Sequence, residues 1–530
     1  MTMFDDELTA TIAHARGHTI GDLLRRTASR VPDKTAVVYR DVRQTYAEFD
    51  ETVNRTANAV AERGVVKGDR IMLLSHNNYA YVVTCLALAR LGAIVVPVNF
   101  MLGPAEVAFI LQHARASGAV VEDVLVTVAE QALQMAPVET VKVRAVIGDP
   151  AQAPAGWQPF SAWTSHADAS APDVPIDDDD VLQLMYTSGT ESRPKGAMMT
   201  SRSLIAQYVS CIIDGRFSRD DVEIHALPLF HVAAQHCFLM PSLYVGATNI
   251  ILDRPDPAVI LATVERERVT KLFCPPTVWI ALLRHPDFDR RDLSSLRKGY
   301  YGASIMPVEV IKELGVRLPN VELFNYYGQT ELSAVALILA PEDQLSKAGS
   351  AGRAAINVET RLVDDNGRPV PAGLEGEIVH RSPHITAGYW NDPDKTAEAF
   401  REGWFHSGDL GVADADGYIT VVDRKKDMIK TGGENVASRE VEEVIFQHPA
   451  VEEVAVFGIA HPRWIEAVAA AVVPRAGQSI DAEQVIAFCR ERLAGYKSPK
   501  YVVIVDALPK NASGKILKRD LRANFGHLAG

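Results

Sequence analysis

A loop in the first half of the chain combines the residue types that bind phosphate groups. Residues Thr187-Ser-Gly-Thr-Glu-Ser-Arg-Pro-Lys-Gly196 follow Val181-Leu-Gln-Leu-Met-Tyr186, an apolar run that predicts a buried strand. Glycines let backbone N–H groups approach an anion closely, while hydroxyls and a lysine add donors and positive charge. The loop favours phosphate binding, although it lacks the G-x-x-x-x-G-K-S/T pattern of kinases and GTPases. Taken alone, it is equally consistent with an ordinary surface loop.

The loop resembles the phosphate-binding loop of the adenylate-forming superfamily, which usually reads Y-T-S-G-T-T-G-x-P-K-G. This superfamily includes acyl-CoA synthetases, luciferases and peptide-synthetase adenylation domains. Six further segments resemble the family's motifs and follow in its order over nearly the whole chain. They are Leu227-Pro-Leu-Phe-His231, Tyr301-Gly-Ala-Ser304, Asn325-Tyr-Tyr-Gly-Gln-Thr-Glu331, Trp404-Phe-His-Ser-Gly-Asp409, Asp423-Arg-Lys-Lys-Asp-Met-Ile-Lys-Thr-Gly-Gly-Glu-Asn435 and Pro509-Lys-Asn-Ala-Ser-Gly-Lys515. Seven motif matches in the family's order are far more specific than a single match. The resemblance is closest to acyl-CoA ligases of the fatty-acid type.

The resemblance implies a first step in which a carboxylic acid attacks ATP and forms an acyl-adenylate. Lys515 is expected to contact both the carboxylate and the α-phosphate, where negative charge grows. Glu331 is expected to hold Mg²⁺, a hard ion that prefers oxygen ligands. Asp409 is expected to accept hydrogen bonds from the ribose, and Tyr327 to stack on adenine. The other nucleotide-binding residues implied by the resemblance are Thr187, Ser188, Gly189, Thr190, Lys195, Gly302, Ala303, Ser304, Tyr326, Gly328, Thr330 and Arg424.

The resemblance also implies a second step, in which the C-terminal domain rotates and coenzyme A takes the acyl group. Lys426 matches the hinge position, where a few residues absorb the backbone change. Gly432 and Gly433 would line the pantetheine tunnel, since a side chain there would obstruct the thiol. His231 would gate that tunnel or lie near the carboxylate, and a structural histidine is the alternative.

Two residues of the phosphate loop depart from the family's pattern. Glu191 and Ser192 replace Thr and Gly, so a carboxylate near the β- and γ-phosphates would repel them unless it points away or pairs with Arg193. Three functions therefore stay open: a ligase that runs both steps, a ligase that only thioesterifies a supplied acyl-adenylate, and a nucleotide-binding regulator without turnover. A peptide-synthetase module is less expected because no carrier domain is recognised, and no feature favours luciferase chemistry.

The identity of the acid is suggested by small residues in or beside the pocket motifs. These residues are Ala233, Ala234, Ser333, Ala334 and Val335. Small apolar residues in the pocket walls leave volume for hydrocarbon. Each CH₂ group that is buried there contributes roughly 0.8 kcal/mol to the free energy of binding. We therefore predict a medium to long, or bulky apolar, carboxylic acid. Tyr301 replaces a common glycine and is expected to narrow the pocket.

Composition excludes several other classes of protein. The chain has 530 residues and a net charge of −13, which argues against a nucleic-acid partner. Its five cysteines form no C-x-x-C, so neither a disulfide framework nor a zinc site is expected. The acidic start carries no signal-peptide pattern, and no apolar run reaches about 18–20 residues. We expect a cytoplasmic protein without integral membrane association, and a homodimer is left open.

The order of the predicted helices and strands indicates an α/β fold. Alternating helix and strand patterns over the first 170 residues predict βαβ units and a largely parallel sheet. Together with the resemblance, this predicts a large N-terminal domain of layered α/β sheets over residues 1–424. A β-rich subdomain is expected at about 349–422 and a small mobile α+β C-terminal domain over 427–530, with the hinge near Lys426.

Overall fold

The structure is a computed structural model of the chain. It describes residues 8, 11–12, 15–136, 141–187, 194–302, 304, 306–425, 427–431, 434–510 and 516–529. The α-helices of these residues are Ile20–Arg30, Tyr46–Ala61, Tyr79–Arg90, Pro104–Ala114, Val126–Met135, Ser161–Thr164, Ser201–Asp214, Met240–Val245, Pro257–Glu267, Pro276–Arg284, Val308–Arg317, Pro393–Ala399, Ser438–Phe446, Ala482–Arg490 and Lys518–Phe525. A wider π-helical segment spans Ala233–Leu239, and single 3₁₀ turns occur at Asp123–Leu125, Pro150–Gln152, Thr330–Leu332, Pro341–Asp343 and Gly526–Ala529.

Two large sheets build the first two-thirds of the chain. The first sheet has, in spatial order, Gln158–Pro159, Val143–Ile147, Gly118–Glu122, Arg70–Leu74, Ile94–Val98, Val181–Thr187 and Lys195–Thr200. The second has Arg353–Ala354, Leu337–Leu339, Glu322–Tyr327, Lys298–Gly302, Lys271–Phe273, Val222–His225, Thr248–Ile251, Thr35–Tyr39 and Val42–Thr45. Neighbouring strands are parallel except at the antiparallel edges, Lys195–Thr200 in the first sheet and Val42–Thr45, Leu337–Leu339 and Arg353–Ala354 in the second.

Two smaller sheets follow. The third is antiparallel and has Glu359–Val363, Glu375–Arg381, Trp404–Ala413, Phe400–Arg401 and Ile419–Arg424. The fourth is mostly antiparallel and has Glu434–Val436, Ile429–Thr431, Ile465–Pro474, Val451–His461 and Tyr501–Ile504. The predicted fold class is confirmed: layered α/β sheets and a β-rich part precede a smaller α+β domain. No helix of the described residues is long and apolar enough to cross a membrane.

Local sequence signals explain where the predicted elements begin. The helix Tyr46–Ala61 starts at Thr45, whose hydroxyl accepts from the backbone N–H of Glu48 at 3.2 Å. The Glu48 carboxylate in turn accepts from the Thr45 N–H at 2.8 Å, which completes a capping box. Gly64 adopts a φ of 81° just beyond the helix, a conformation that glycine takes at no steric cost.

The turn of the fourth-sheet hairpin contains an unusual backbone conformation. Ile465 pairs with His461 across the hairpin, has a φ of 72° and is 68% exposed. A β-branched residue in the left-handed region costs on the order of 1–2 kcal/mol, and exposure means that little packing offsets the cost.

We therefore expect Ile465→Gly to raise the free energy of unfolding by about 1 kcal/mol, because glycine relieves the strain. Urea unfolding of the full chain measures the change. Ile504→Gly is the control, because Ile504 is 38% exposed in a regular strand of the same sheet and should lose stability. A loss of stability in both variants would contradict the strain assignment.

Candidate active site

The predicted phosphate loop connects two paired strands at the edge of the first sheet. Val181–Thr187 and Lys195–Thr200 are antiparallel, with Thr187 directly opposite Lys195. The pairing therefore places Thr187 and Lys195 side by side at the base of the loop. Ser188, Gly189, Thr190, Glu191, Ser192 and Arg193 lie outside the described residues.

Glu331 is held beside this base by a segment far along the chain. It lies in the short turn Thr330–Leu332, and its carboxylate accepts from the Tyr389 hydroxyl at 2.6 Å. The ammonium of Lys195 lies 5.0 Å from the centre of the Tyr389 ring. Lys195, Tyr389 and Glu331 therefore form one charged cluster, in which Tyr389 was not predicted from the sequence.

The ends of two parallel strands of the second sheet require glycine. A Cβ at Gly302 would lie 2.4 Å from the carbonyl oxygen of Tyr326, and one at Gly328 would lie 1.9 Å from that of Ala334. Ligands of open α/β sheets bind at the carboxyl ends of the strands, where both glycines lie. Ser304, just beyond the Gly302 strand, is exposed.

The side chain of Tyr326 points away from this edge and into the core. Its ring stacks on Phe238 with centroids 5.5 Å apart, and its hydroxyl donates to the carbonyl oxygen of Cys211 at 3.4 Å. Burial raises the pKa of this phenol well above its usual range. The predicted contact between Tyr326 and nucleotide is thus restricted to the backbone, because neighbouring strand residues face opposite sides.

Asp409 forms the centre of a second polar cluster. The Tyr327 hydroxyl donates to its Oδ2 at 2.6 Å, and the Gln329 amide donates to the same oxygen at 2.7 Å. Arg424, opposite it in the third sheet, lies 3.3 Å from Oδ1. Burial and the adjacent Asp409 charge raise the pKa of Tyr327 well above its usual range, so the phenol stays a donor. Gln329, the variable residue of the Y-G-x-T-E motif, was missed.

The predicted acyl-pocket motif is tied to the first sheet by Asn77. The Asn77 amide donates to the carbonyl oxygen of Leu227 at 2.8 Å and accepts from the Leu229 N–H at 2.8 Å. His231 follows, half-buried, and its Nδ1 accepts from the N–H of Ala233 at 3.3 Å. The π-helical segment Ala233–Leu239 begins there, so the motif leads directly into a wide helical turn.

Four of the small residues predicted to line the acyl pocket share one hydrophobic core. Ala234, Ala334 and Val335 are buried in this core and Ala233 packs against it. Tyr301 belongs to a different core, where its hydroxyl donates to Gln344 Oε1 at 2.8 Å. The expectation that Tyr301 narrows the pocket is therefore wrong, because its side chain faces the opposite side of the strand from Tyr300.

A buried histidine supports the turn formed by residues 333–335. Ser333 and Ala334 adopt φ values of 54° and 120°, which are uncommon for residues other than glycine. The Ser333 hydroxyl donates to the carbonyl oxygen of His384 at 2.7 Å, and His384 Nδ1 lies 3.1 Å from that of Val335. Burial lowers the pKa of His384 to about 4, so the ring is neutral and can hold this turn at physiological pH.

Glu331 suits a magnesium ion bound together with nucleotide phosphates. Within the described residues, no group of three or more His, Cys, Asp and Glu side chains could hold a metal ion. Mg²⁺ is commonly bound by one or two carboxylates together with substrate phosphates, and a single half-buried carboxylate beside the loop fits this pattern. Besides Ser188, Gly189 and Thr190, five more predicted site residues lie outside the described residues: Ala303, Lys426, Gly432, Gly433 and Lys515.

Comparison with known families agrees with this geometry. The family described as "AMP-binding enzyme" matches residues 24–390, and "AMP-binding enzyme C-terminal domain" matches residues 440–515. The chain belongs to the AMP-binding enzyme family. Within it, the chain is an ATP-dependent acyl-CoA synthetase, an acid–thiol ligase.

Curated relatives and solved structures cover nearly the whole chain. A feruloyl-CoA synthase from Amycolatopsis is 41% identical over 96% of this chain and 100% of its own length. The long-chain-fatty-acid–CoA ligase FadD13 of Mycobacterium tuberculosis is 36% identical over 96% of this chain and 98% of its own length. The structure of the anthranilate CoA ligase AuaEII with anthranoyl-AMP matches with a TM-score of 0.90 at 28% identity, covering 98% of this chain and 99% of that chain.

Proposed function

We propose that the chain activates a bulky or long apolar carboxylic acid as its adenylate and transfers the acyl group to CoA. The observation that carries the choice of acid is the shared core of Ala233, Ala234, Ala334 and Val335, with Tyr301 turned away from it. The relatives' names support the same choice, since they include feruloyl-CoA synthase, indoleacetate–CoA ligase and a long-chain-fatty-acid–CoA ligase.

A panel of acids tests the substrate class. The purified chain is incubated with ATP, Mg²⁺, CoA and one acid at a time, and acyl-CoA is measured by mass spectrometry. Ferulate, indoleacetate, octanoate and palmitate represent bulky and long apolar acids, and acetate and malonate represent small and doubly charged ones. The proposal predicts the highest kcat/KM for a member of the apolar group. A preference for acetate or malonate would overturn it.

The first half-reaction is assigned to the charged cluster around Glu331 and the polar cluster around Asp409. Lys195 and Thr187, at the loop base, would bind phosphate oxygens, and Glu331 would hold Mg²⁺, which neutralises phosphate charge. Tyr327 and Asp409 would bind adenine and ribose, with Arg424 beside Asp409. Lys515 would supply the cation where charge grows on the α-phosphate. Donors and charges fixed before the reaction stabilise that charge without the cost of reorganising during it.

The second half-reaction is assigned to rotation about Lys426, with a domain border between Arg424 and Asp427. Polar contacts cross this border. The Asp423 carboxylate accepts from the N–H and hydroxyl of Ser438 at 2.7 and 2.8 Å, and so holds the first turn of the helix Ser438–Phe446. Arg439 donates to the carbonyl oxygen of Gly349 at 3.0 Å across the border. A rotation would exchange this contact for others.

Gly433→Trp is expected to block thioester formation and to spare acyl-adenylate formation. The proposed pantetheine tunnel passes Gly433, and an indole would fill the path of the thiol. Transfer from synthetic acyl-adenylate to CoA should fall at least about tenfold, the equivalent of about 1.4 kcal/mol, while acid-dependent pyrophosphate exchange stays within about twofold. Gly495→Trp is the control, because Gly495 has open space around a Cβ and no left-handed φ in the same domain. Equal loss of both steps in Gly433→Trp would contradict the tunnel assignment.

A ligase restricted to thioesterification is the second candidate. The observation that favours it is Glu191 and Ser192, which replace the family's Thr and Gly in the loop. Their effect would fall on the step that uses the β- and γ-phosphates. Acid-dependent pyrophosphate exchange by the unmodified chain separates the two candidates, since only the two-step ligase performs it.

A further inference from the structure

Tyr389 contacts both charged residues of the cluster formed by Lys195, Tyr389 and Glu331, one with its hydroxyl and the other with its ring. Its hydroxyl donates to Glu331 Oε1 at 2.6 Å, and its ring face lies 5.0 Å from the Lys195 ammonium. Tyr389 is only 6% exposed, and Glu331 and Lys195 are half-buried, so both contacts are partly shielded from bulk water. Electrostatic contacts of this kind are stronger in a low-dielectric setting than at the surface.

The backbone around Tyr389 fixes the position of the ring. Tyr389 forms a bridge with Ala197, in the strand that begins at Lys195. Its N–H donates to the hydroxyl of Thr396 at 3.0 Å. Three residues earlier, the N–H of Thr386 donates to the carbonyl oxygen of Glu331 at 2.9 Å. The segment 386–390 is therefore attached both to the strand of Lys195 and to the turn of Glu331.

We propose that Tyr389 is a positioning residue of the adenylation half-reaction. Its hydroxyl donates a hydrogen bond to one oxygen of Glu331, while its ring face contacts the ammonium of Lys195. The phenol thus keeps the carboxylate and the ammonium from neutralising each other, and both stay directed at the triphosphate of ATP. This inference rests on the proposed function, in which the cluster binds the phosphates of ATP.

Loss of the hydroxyl should let the two charges pair. In Tyr389→Phe the ring remains, but Glu331 loses its donor, and Lys195, on the face of the same ring, is a cation that can replace it. Lys195 would then be withdrawn from the phosphates. AMP lacks the β- and γ-phosphates, so its binding should be affected much less than that of ATP.

Titration calorimetry on the full chain, with EDTA in place of Mg²⁺, measures this directly. We expect Tyr389→Phe to weaken ATP binding roughly tenfold, the size of a lost hydrogen bond to a charged group, and to change AMP binding less than about twofold. The double variant Tyr389→Phe with Glu331→Gln should recover metal-free ATP binding, because the carboxylate that captures Lys195 is then uncharged. Pyrophosphate exchange in Mg²⁺ should fall in Tyr389→Phe, while thioesterification of synthetic acyl-adenylate should not.

The chain offers a closely matched control in Tyr418. Its hydroxyl donates to Asp343 Oδ2 at 2.6 Å, the ammonium of Lys347 lies 4.6 Å from its ring centre, and it is 8% exposed. Tyr418→Phe removes the same kind of hydrogen bond outside the site and should leave ATP and AMP binding unchanged.

The outcomes separate this inference from the function on which it rests. Unchanged ATP binding in Tyr389→Phe, an equal loss for AMP, no recovery in the double variant, or an equal loss in Tyr418→Phe would each overturn the role of Tyr389. Failure of the unmodified chain to bind ATP would overturn both the proposed function and the role of Tyr389.

Discussion

Lys515→Ala is expected to reduce acyl-adenylate formation about 10²–10³-fold and to leave thioesterification of a supplied acyl-adenylate within about twofold. The first step develops negative charge on the α-phosphate, and removing one fixed donor or cation from such a site typically costs about 3–4 kcal/mol. In the second step the phosphoanhydride is already gone. Acid-dependent pyrophosphate exchange reports the first step, and transfer from synthetic acyl-adenylate to CoA reports the second.

Lys510→Ala is the matched control for this prediction. Lys510 lies in the same C-terminal segment, and its ammonium pairs with Glu453 at 2.6 Å. Its removal changes the charge of the chain by the same amount but is expected to leave pyrophosphate exchange nearly unchanged. Full exchange in Lys515→Ala, or an equal loss in both variants, would show that Lys515 does not act on the α-phosphate.

Asp409→Ala is expected to lower both half-reactions by at least about 10²-fold, in contrast to Lys515→Ala. The Asp409 side chain is 6% exposed and binds Tyr327, Gln329 and Arg424. A hydrogen bond to a charged group typically contributes about 1.5–3 kcal/mol, and Asp409→Ala removes the proposed bonds to the ribose together with those to Tyr327 and Gln329. The adenosine part is present in ATP and in the acyl-adenylate, so both steps should suffer.

Calorimetry with AMP and both half-reaction assays test this prediction. Asp221→Ala is the control, because its side chain is 7% exposed and pairs with Lys298 at 2.9 Å at the amino ends of strands in the second sheet. That variant should lose stability but bind AMP with nearly unchanged affinity below its unfolding temperature. Loss of only one half-reaction in Asp409→Ala would contradict its assignment to the ribose.

Local signals predicted elements of the fold closely. The strand expected over 181–186 spans Val181–Thr187, and a capping box and a turn glycine mark the two ends of the helix Tyr46–Ala61. Capping boxes, turn glycines and apolar periodicity act over a few residues, so they can be found in sequence. The π-helical segment Ala233–Leu239 carries no such local signal, and its wider turn was not predicted.

The site was predictable only where residues stand in motifs. Asp409, Glu331, Tyr327 and Arg424 could be named from their neighbours in sequence, but the partners Tyr389 and Gln329 could not. Tyr389 contacts Glu331 across 58 positions, and Gln329 contacts Asp409 across 80. Tyr301 shows the converse error: its position in a motif suggested a pocket residue, but the alternation of side chains along the strand directs it into another core.

The central claim is that this chain performs both half-reactions on an apolar acid, and acid-dependent ATP–pyrophosphate exchange without CoA tests it most directly. We predict exchange with ferulate, indoleacetate or a fatty acid, followed by acyl-CoA and AMP in equal amounts once CoA is added. Absence of exchange with every acid, while synthetic acyl-adenylate is converted to acyl-CoA, would contradict the two-step account and favour the thioesterification-only ligase.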